Sequence, residues 1–146
     1  MRLRTFVSAG AFAGAIAVAG TFAAHAATMK YHADLTAAQE VPPTKSTGKG
    51  EATVTLNTTT HEATVELTFS GLSSDATAAH IHGPAAAGKN AGVMVPLGNS
   101  PKSPVHTTAK LTPDQEKQLE DGMTYVNVHT KDDPSGAIRG QLTAVK

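Results

Sequence analysis

His80 and His82 stand one residue apart in "AAHIHGPAAAGKN", which begins at Ala78, and His129 lies in "YVNVHTKDDPSGAIRGQL", which begins at Tyr125. Imidazole nitrogens bind copper, zinc, nickel and iron, with bonds of about 2 Å. On a β-strand, residues i and i+2 share a face, with Cα atoms roughly 6.5–7 Å apart. A His-x-His pair on a strand therefore aims two ring nitrogens at one ion. A third histidine from another strand would complete a three-nitrogen site with a position left open. The same pair also fits a solvated strand that binds nothing, so the elements around it decide.

Those elements are strands. In "EATVTLN", from Glu51, Ala52, Val54 and Leu56 alternate with Glu51, Thr53 and Thr55. In "HEATVELTF", Ala63, Val65, Leu67 and Phe69 alternate with Glu62, Thr64, Glu66 and Thr68. This period of two, with "NTTTH" between, predicts a half-buried antiparallel hairpin, apolar side in and polar side out. "MKYHADL", "ATAAHIH", "GVMVPL", "VHTTAKL", "MTYVNVHT" and "GAIRGQLTA" carry similar patterns. About eight short strands with Gly/Pro/Asn/Ser punctuation predict an all-β, antiparallel sandwich or barrel. "EVPPTKSTGKG" is a loop, since its prolines and glycines resist a sheet interior. One short helix is expected near 113–121. Thr112 is its N-cap, Pro113 its first residue, Gln115 closes a capping box and Gly122 stops it. Asn57-Thr58-Thr59 matches an N-glycosylation acceptor, and equally an ordinary turn.

Strand phase sorts the chemistry-bearing residues. His80 and His82 share an outward face, with Ala79 and Ile81 facing the core. Val126 and Val128 are inward, and Tyr125, Asn127 and His129 outward. Ile138, Gly140 and Leu142 are inward, and Arg139 and Gln141 outward. His80, His82, His129 and Arg139 form one outer patch if their strands are neighbours. Otherwise His129 satisfies a loop, and Arg139 pairs with Asp132, Asp133 or a glutamate. His106, on the strand before the helix, is a candidate fourth ligand. His32 and His61 are expected at the surface.

Other chemistry finds little support. The chain has no cysteine, no Gly-x-Ser-x-Gly elbow, no isolated carboxylate pair for glycoside hydrolysis and no phosphate-cradling glycine loop. Its 146 residues hold twelve basic and twelve acidic side chains. No basic stripe or aromatic platform speaks for nucleic acid or an anionic membrane.

The first 26 residues stand apart. "MRLR" is cationic, "TFVSAGAFAGAIAVAGTFAA" is small and apolar, and "AHA" ends at Ala26 with small residues where a signal peptidase reads. This predicts a Sec-type signal peptide over 1–26, cleaved after Ala26, and a secreted or periplasmic domain over 27–146 with no membrane anchor. His25 leaves with the leader. A spanning anchor is the rival, but the run is weakly hydrophobic. Without a disulfide, the mature domain depends on packing alone or on packing plus a metal.

Four segments in order, "LTAAQEVPPTKSTGKGEATVTL", "GLSSDATAAHIHGPAAAGKNAGVMVPL", "LTPDQEKQLEDG" and "TYVNVHTKDDPSGAIRGQL", resemble the CHRD (chordin) domain family across essentially the whole mature chain. The resemblance implies an immunoglobulin-like β-barrel with a faint similarity to copper/zinc superoxide dismutase. On that similarity His80 and His82 match a copper-binding pair, His129 a later copper ligand and Arg139 the arginine that guides the anion. His106 is then the sole candidate for a bridging histidine. The zinc-binding loop and the structural disulfide have no counterpart. The expectation is a secreted binding module that holds copper or zinc through a surface cluster of His80, His82 and His129, with His106 a further candidate. Its rivals are a dismutase-type copper enzyme and a metal-free module that binds an extracytoplasmic protein.

Overall fold

The computed structural model describes residues 27–146, so the leader expected over 1–26 lies outside the described residues. The elements run β1 (Thr28–Thr36), a 3-10 turn (Ala37–Gln39), β2 (Lys49–Asn57), β3 (Glu62–Ser70), β4 (Ala76–His82), β5 (Val93–Asn99), β6 (Val105–Lys110), α1 (Pro113–Glu120), β7 (Tyr125–Thr130), β8 (Ile138–Gln141) and β9 (Thr143–Ala144). The strands pair in the order β5-β4-β7-β8-β1-β2-β3-β6, with β9 on β1. Every pairing is antiparallel. The two ends of that order, β5 and β6, touch, so the sheet curls into a nearly closed barrel. The all-β expectation holds, with nine strands among the described residues. The last predicted strand splits at the fully buried Leu142: β8 pairs mainly with β7, and β9 with β1.

Alternation builds the core. Ala52, Val54 and Leu56 lie opposite Leu67, Val65 and Ala63, and all six are buried. Tyr31, Leu35, Ile81, Val126, Val128 and Ile138 join the same cluster. The helix forms as its end signals dictate. Thr112 Oγ1 accepts from the Gln115 amide and Gln115 Oε1 from the Thr112 amide, satisfying donors the first helical turn leaves free. Leu119 then enters the core. Among the described residues no helix is long and apolar enough to cross a membrane.

The polar-side-out expectation fails for β7 and β8. Tyr125, Asn127 and Arg139 point away from the barrel core, yet all three are buried. Three connections roof that face. Val41 O accepts from Asn90 Nδ2, Thr44 Oγ1 donates to Ala137 O, and Gln141 Nε2 donates to Ala85 O. The strap after β1, the loop after β4 and the loop after β7 are thereby tied to one another and to the sheet.

Ile81 is 1% exposed and sits on the inner face between β5 and β7. Ile81→Ala is expected to cost about 2–5 kcal/mol through lost burial and a residual cavity. The check is a urea unfolding curve whose midpoint falls with its slope unchanged.

Candidate metal centre

Strand register assembles the site. β4 pairs β7 with His80 opposite Asn127, His82 opposite Tyr125 and Ala78 opposite His129. β7 pairs β8 with Asn127 opposite Arg139 and Tyr125 opposite Gln141. Strands carrying the His-x-His pair, the third histidine and the arginine are therefore consecutive. The β4–β5 register shifts at Ala79/His80 and again at Ile81/His82, and bulges of this kind re-aim side chains.

His80, His82 and His129 come together, each offering a nitrogen within 4.8 Å of the others. His80 Nδ1 lies 3.1 Å from His129 Nε2. Two nitrogens bound tetrahedrally to one zinc stand about 3.3 Å apart, so the spacing suits a shared ion. Backbone carbonyls fix two tautomers. Ala91 O is 3.0 Å from His82 Nδ1 and Pro134 O is 3.0 Å from His129 Nδ1. A carbonyl only accepts, so both Nδ1 atoms carry the proton and both Nε2 atoms keep a lone pair. This is how metal-bound histidines are usually oriented. His82 Nε2 is buried with no partner. A buried nitrogen without a partner is costly, and a cation would satisfy it.

The environment favours the neutral form of all three rings. Burial is the largest influence on each and pushes its pKa below the usual 6.5. His80 is lowered further by His129 and His82. His82 is lowered also by His129 and Arg139, against hydrogen bonds to the Ala91 and Gly92 backbone that raise it. For His129 the bond to Pro134 opposes burial. Neutral imidazole is the form that ligates.

The cluster is more enclosed than its expected place on the surface. His82 is only 7% exposed, and His80 and His129 are half-buried. Tyr125 stacks on His82 at 4.9 Å with planes 4° apart. The Arg139 guanidinium carbon covers Tyr125 at 3.6 Å from the ring centre. Arg139 is 1% exposed and donates to Asn90 Oδ1 and Gln141 Oε1. It pairs with neither Asp132 nor Asp133. Its place is behind Tyr125, where it braces the ring that braces His82.

His106 is not brought to this group. It lies on β6, at the far end of the strand order, opposite Glu66 and 3.7 Å from its carboxylate. His61 bonds Glu116 at 2.5 Å, tying the β2–β3 turn to the helix. His32 sits with Asp34 and Glu51 in a second group of ligand-type atoms; those carboxylates are largely in solvent, the usual state of exposed strand charges. Asn57 Oδ1 caps its turn by accepting from the Thr59 and Thr60 amides.

Sequence reasoning missed Glu40, in the segment assigned to a loop. It is 7% exposed, and its Oε1 accepts from Asn127 Nδ2 at 2.5 Å. Gly136 closes over that bond: a Cβ there would stand 2.6 Å from both atoms, and its φ of +139° suits glycine alone. Burial pushes the Glu40 carboxyl up to about 7, opposed by the Asn127 bond and Arg139 and aided by Asp133. Glu40, His82, Tyr125 and Asn127 line one cleft of about 460 Å³, walled by Val41, Pro42 and Pro134.

The CHRD domain family matches this chain over residues 31–142, more than half of its length. No curated protein and no solved structure matches.

Two pH dependences follow, with opposite signs. The three histidines bind protons less readily folded than unfolded, so they withdraw stability as pH falls below 6.5. An NMR titration should find each of the three rings more than half neutral at pH 6.5, with Nδ1–H at His82 and His129. Glu40 binds its proton more readily folded, so its favourable contribution is full below 4.5 and is lost as pH rises through about 7. Glu40→Gln keeps an acceptor for Asn127 and should stabilise the metal-free protein at pH 8 by roughly 1–3 kcal/mol. Paired denaturation curves should show the gap closing towards pH 4.5.

Proposed function

The chain belongs to the CHRD domain family, and on that premise we propose that it is a secreted binding module holding one copper or zinc ion through His80, His82 and His129. The unpartnered, buried Nε2 of His82 carries this reading. Among the protein's own groups His82 Nε2 finds no hydrogen-bond partner, and beside it His80 Nδ1 and His129 Nε2 have each other. With an ion, three neutral imidazoles supply three of the four ligands that zinc commonly takes and that copper accepts. Held there, the ion would act as a Lewis acid with a position open to an exogenous group.

The chain's own residues do the rest. Ala91 and Pro134 carbonyls hold two rings in the ligating tautomer. Tyr125 and Arg139 fix the plane of His82. Secretion rests on the leader-like first 26 residues, which suit an extracytoplasmic domain without cysteine. The dismutase-type alternative draws less support. An arginine that steers an anion must present its charge to solvent, and Arg139 is buried against Tyr125. His106 lies with Glu66 on β6, which leaves no bridging histidine among the described residues.

Titration of untagged mature protein with Cu(II) and Zn(II) checks the proposal. One ion is expected per chain, bound tighter than micromolar. His80→Ala/His82→Ala, or His129→Ala alone, should weaken binding by at least about 100-fold, and His106→Ala should leave it unchanged. Binding weaker than micromolar, or indifferent to His80, His82 and His129, contradicts the reading.

A further inference from the structure

We propose that Glu40 is the charge-balancing carboxylate of this centre: it stays outside the set of ligands and ionises when a dication occupies His80, His82 and His129. The inference rests on the metal reading above and adds to it a fourth functional residue and a proton.

Three neutral imidazoles bring no negative charge to a dication, and their surroundings are largely buried. A buried ion without a counter-charge is strongly unfavourable. Glu40 has the complementary problem. It is nine-tenths buried, and among the described residues it forms no ion pair. Its side-chain partner is the amide of Asn127, which sits opposite His80 in the β4–β7 register and two residues before His129. Glu40 and His82 face the same cleft. The carboxyl thus shares a cleft with His82 and is bonded to a residue on the strand that carries His129.

The charged and titratable groups around Glu40 come from four elements. Arg139 on β8 attracts its charged form, but that guanidinium is occupied by Tyr125, Asn90 and Gln141. Asp132 and Asp133, on the loop after β7, line the cleft and add only negative charge. Tyr125 and His82 complete the lining. No unpaired cation among the cleft-lining residues serves Glu40, so an arriving dication supplies the positive charge it lacks. Its proton affinity fits this role. With a pKa of about 7 it is half protonated at neutral pH and ready to give up the remainder. The balance is simple. Glu40–COOH becomes carboxylate, the proton leaves to solvent, and the ion's charge is partly neutralised across the Asn127 contact.

Calorimetric titration with Zn(II) at pH 7, in buffers of different ionisation enthalpy, counts the protons. The wild type is expected to release about half a proton per ion from Glu40, because the histidines are already largely neutral. Glu40→Gln preserves the acceptor for Asn127 and should release close to none, and at pH 8 should bind Zn(II) at least about tenfold more weakly. Glu40→Asp should recover the proton. Infrared difference spectra of the wild type give a readout without any variant: the protonated-carboxyl band should vanish when Zn(II) binds. Equal proton release by wild type and Glu40→Gln, or a carboxyl band untouched by Zn(II), overturns the role of Glu40 while leaving the metal site standing. No Zn(II) binding by the wild type overturns both.

Discussion

The register of β4 against β7, and of β7 against β8, is the constraint on which the site depends. Because side chains alternate along a strand, a slip of one residue would send His80 and His82 into the core and Ile81 out of it. The apolar partners prevent this. Ile81 opposite Val126 and Ala79 opposite Val128 are buried to within 1% of completely. Hydrophobic burial on the inner face thus sets the position of three imidazoles on the outer one. The second consequence of the same pairing is the column Arg139–Tyr125–His82, whose members lie on three successive strands.

What encloses that outer face changes its chemistry. An exposed His-x-His pair would titrate near its ordinary value and bond to water. Here loops held by Asn90, Thr44 and Gln141 exclude solvent, and burial becomes the dominant influence on all three histidines and on Glu40. Burial favours the uncharged form of either type of group. The rings therefore keep their lone pairs while the carboxyl keeps its proton, a combination that a cation can reverse at one site. Burial lowers the pKa of the arginine as well, and its charged form is satisfied by an aromatic face and two amide oxygens.

Strand phase alone revealed much of this. Alternation in "ATAAHIH" and "TYVNVHT" correctly separated Ala79, Ile81, Val126 and Val128 from the histidines, and the capping box located the helix. Phase gives a face and not a neighbour, which is why His106 stood as a candidate although β6 is at the other end of the strand order. Phase also cannot foresee a roof. Tyr125, Asn127 and Arg139 were correctly placed away from the core, and only the crossing loops bury them. Glu40 had no local signal. It follows a 3-10 turn and precedes two prolines, and its importance comes from Asn127 and Gly136, 87 residues and more away along the chain.

The central claim is that one ion is shared by three imidazoles from two adjacent strands. Electron paramagnetic resonance of the protein carrying one equivalent of Cu(II) tests it most directly. A single species with nitrogen couplings from three imidazoles, reduced to two by His129→Ala, is the expected result. A spectrum of several species, or one whose nitrogen couplings survive loss of His129 unchanged, would contradict it.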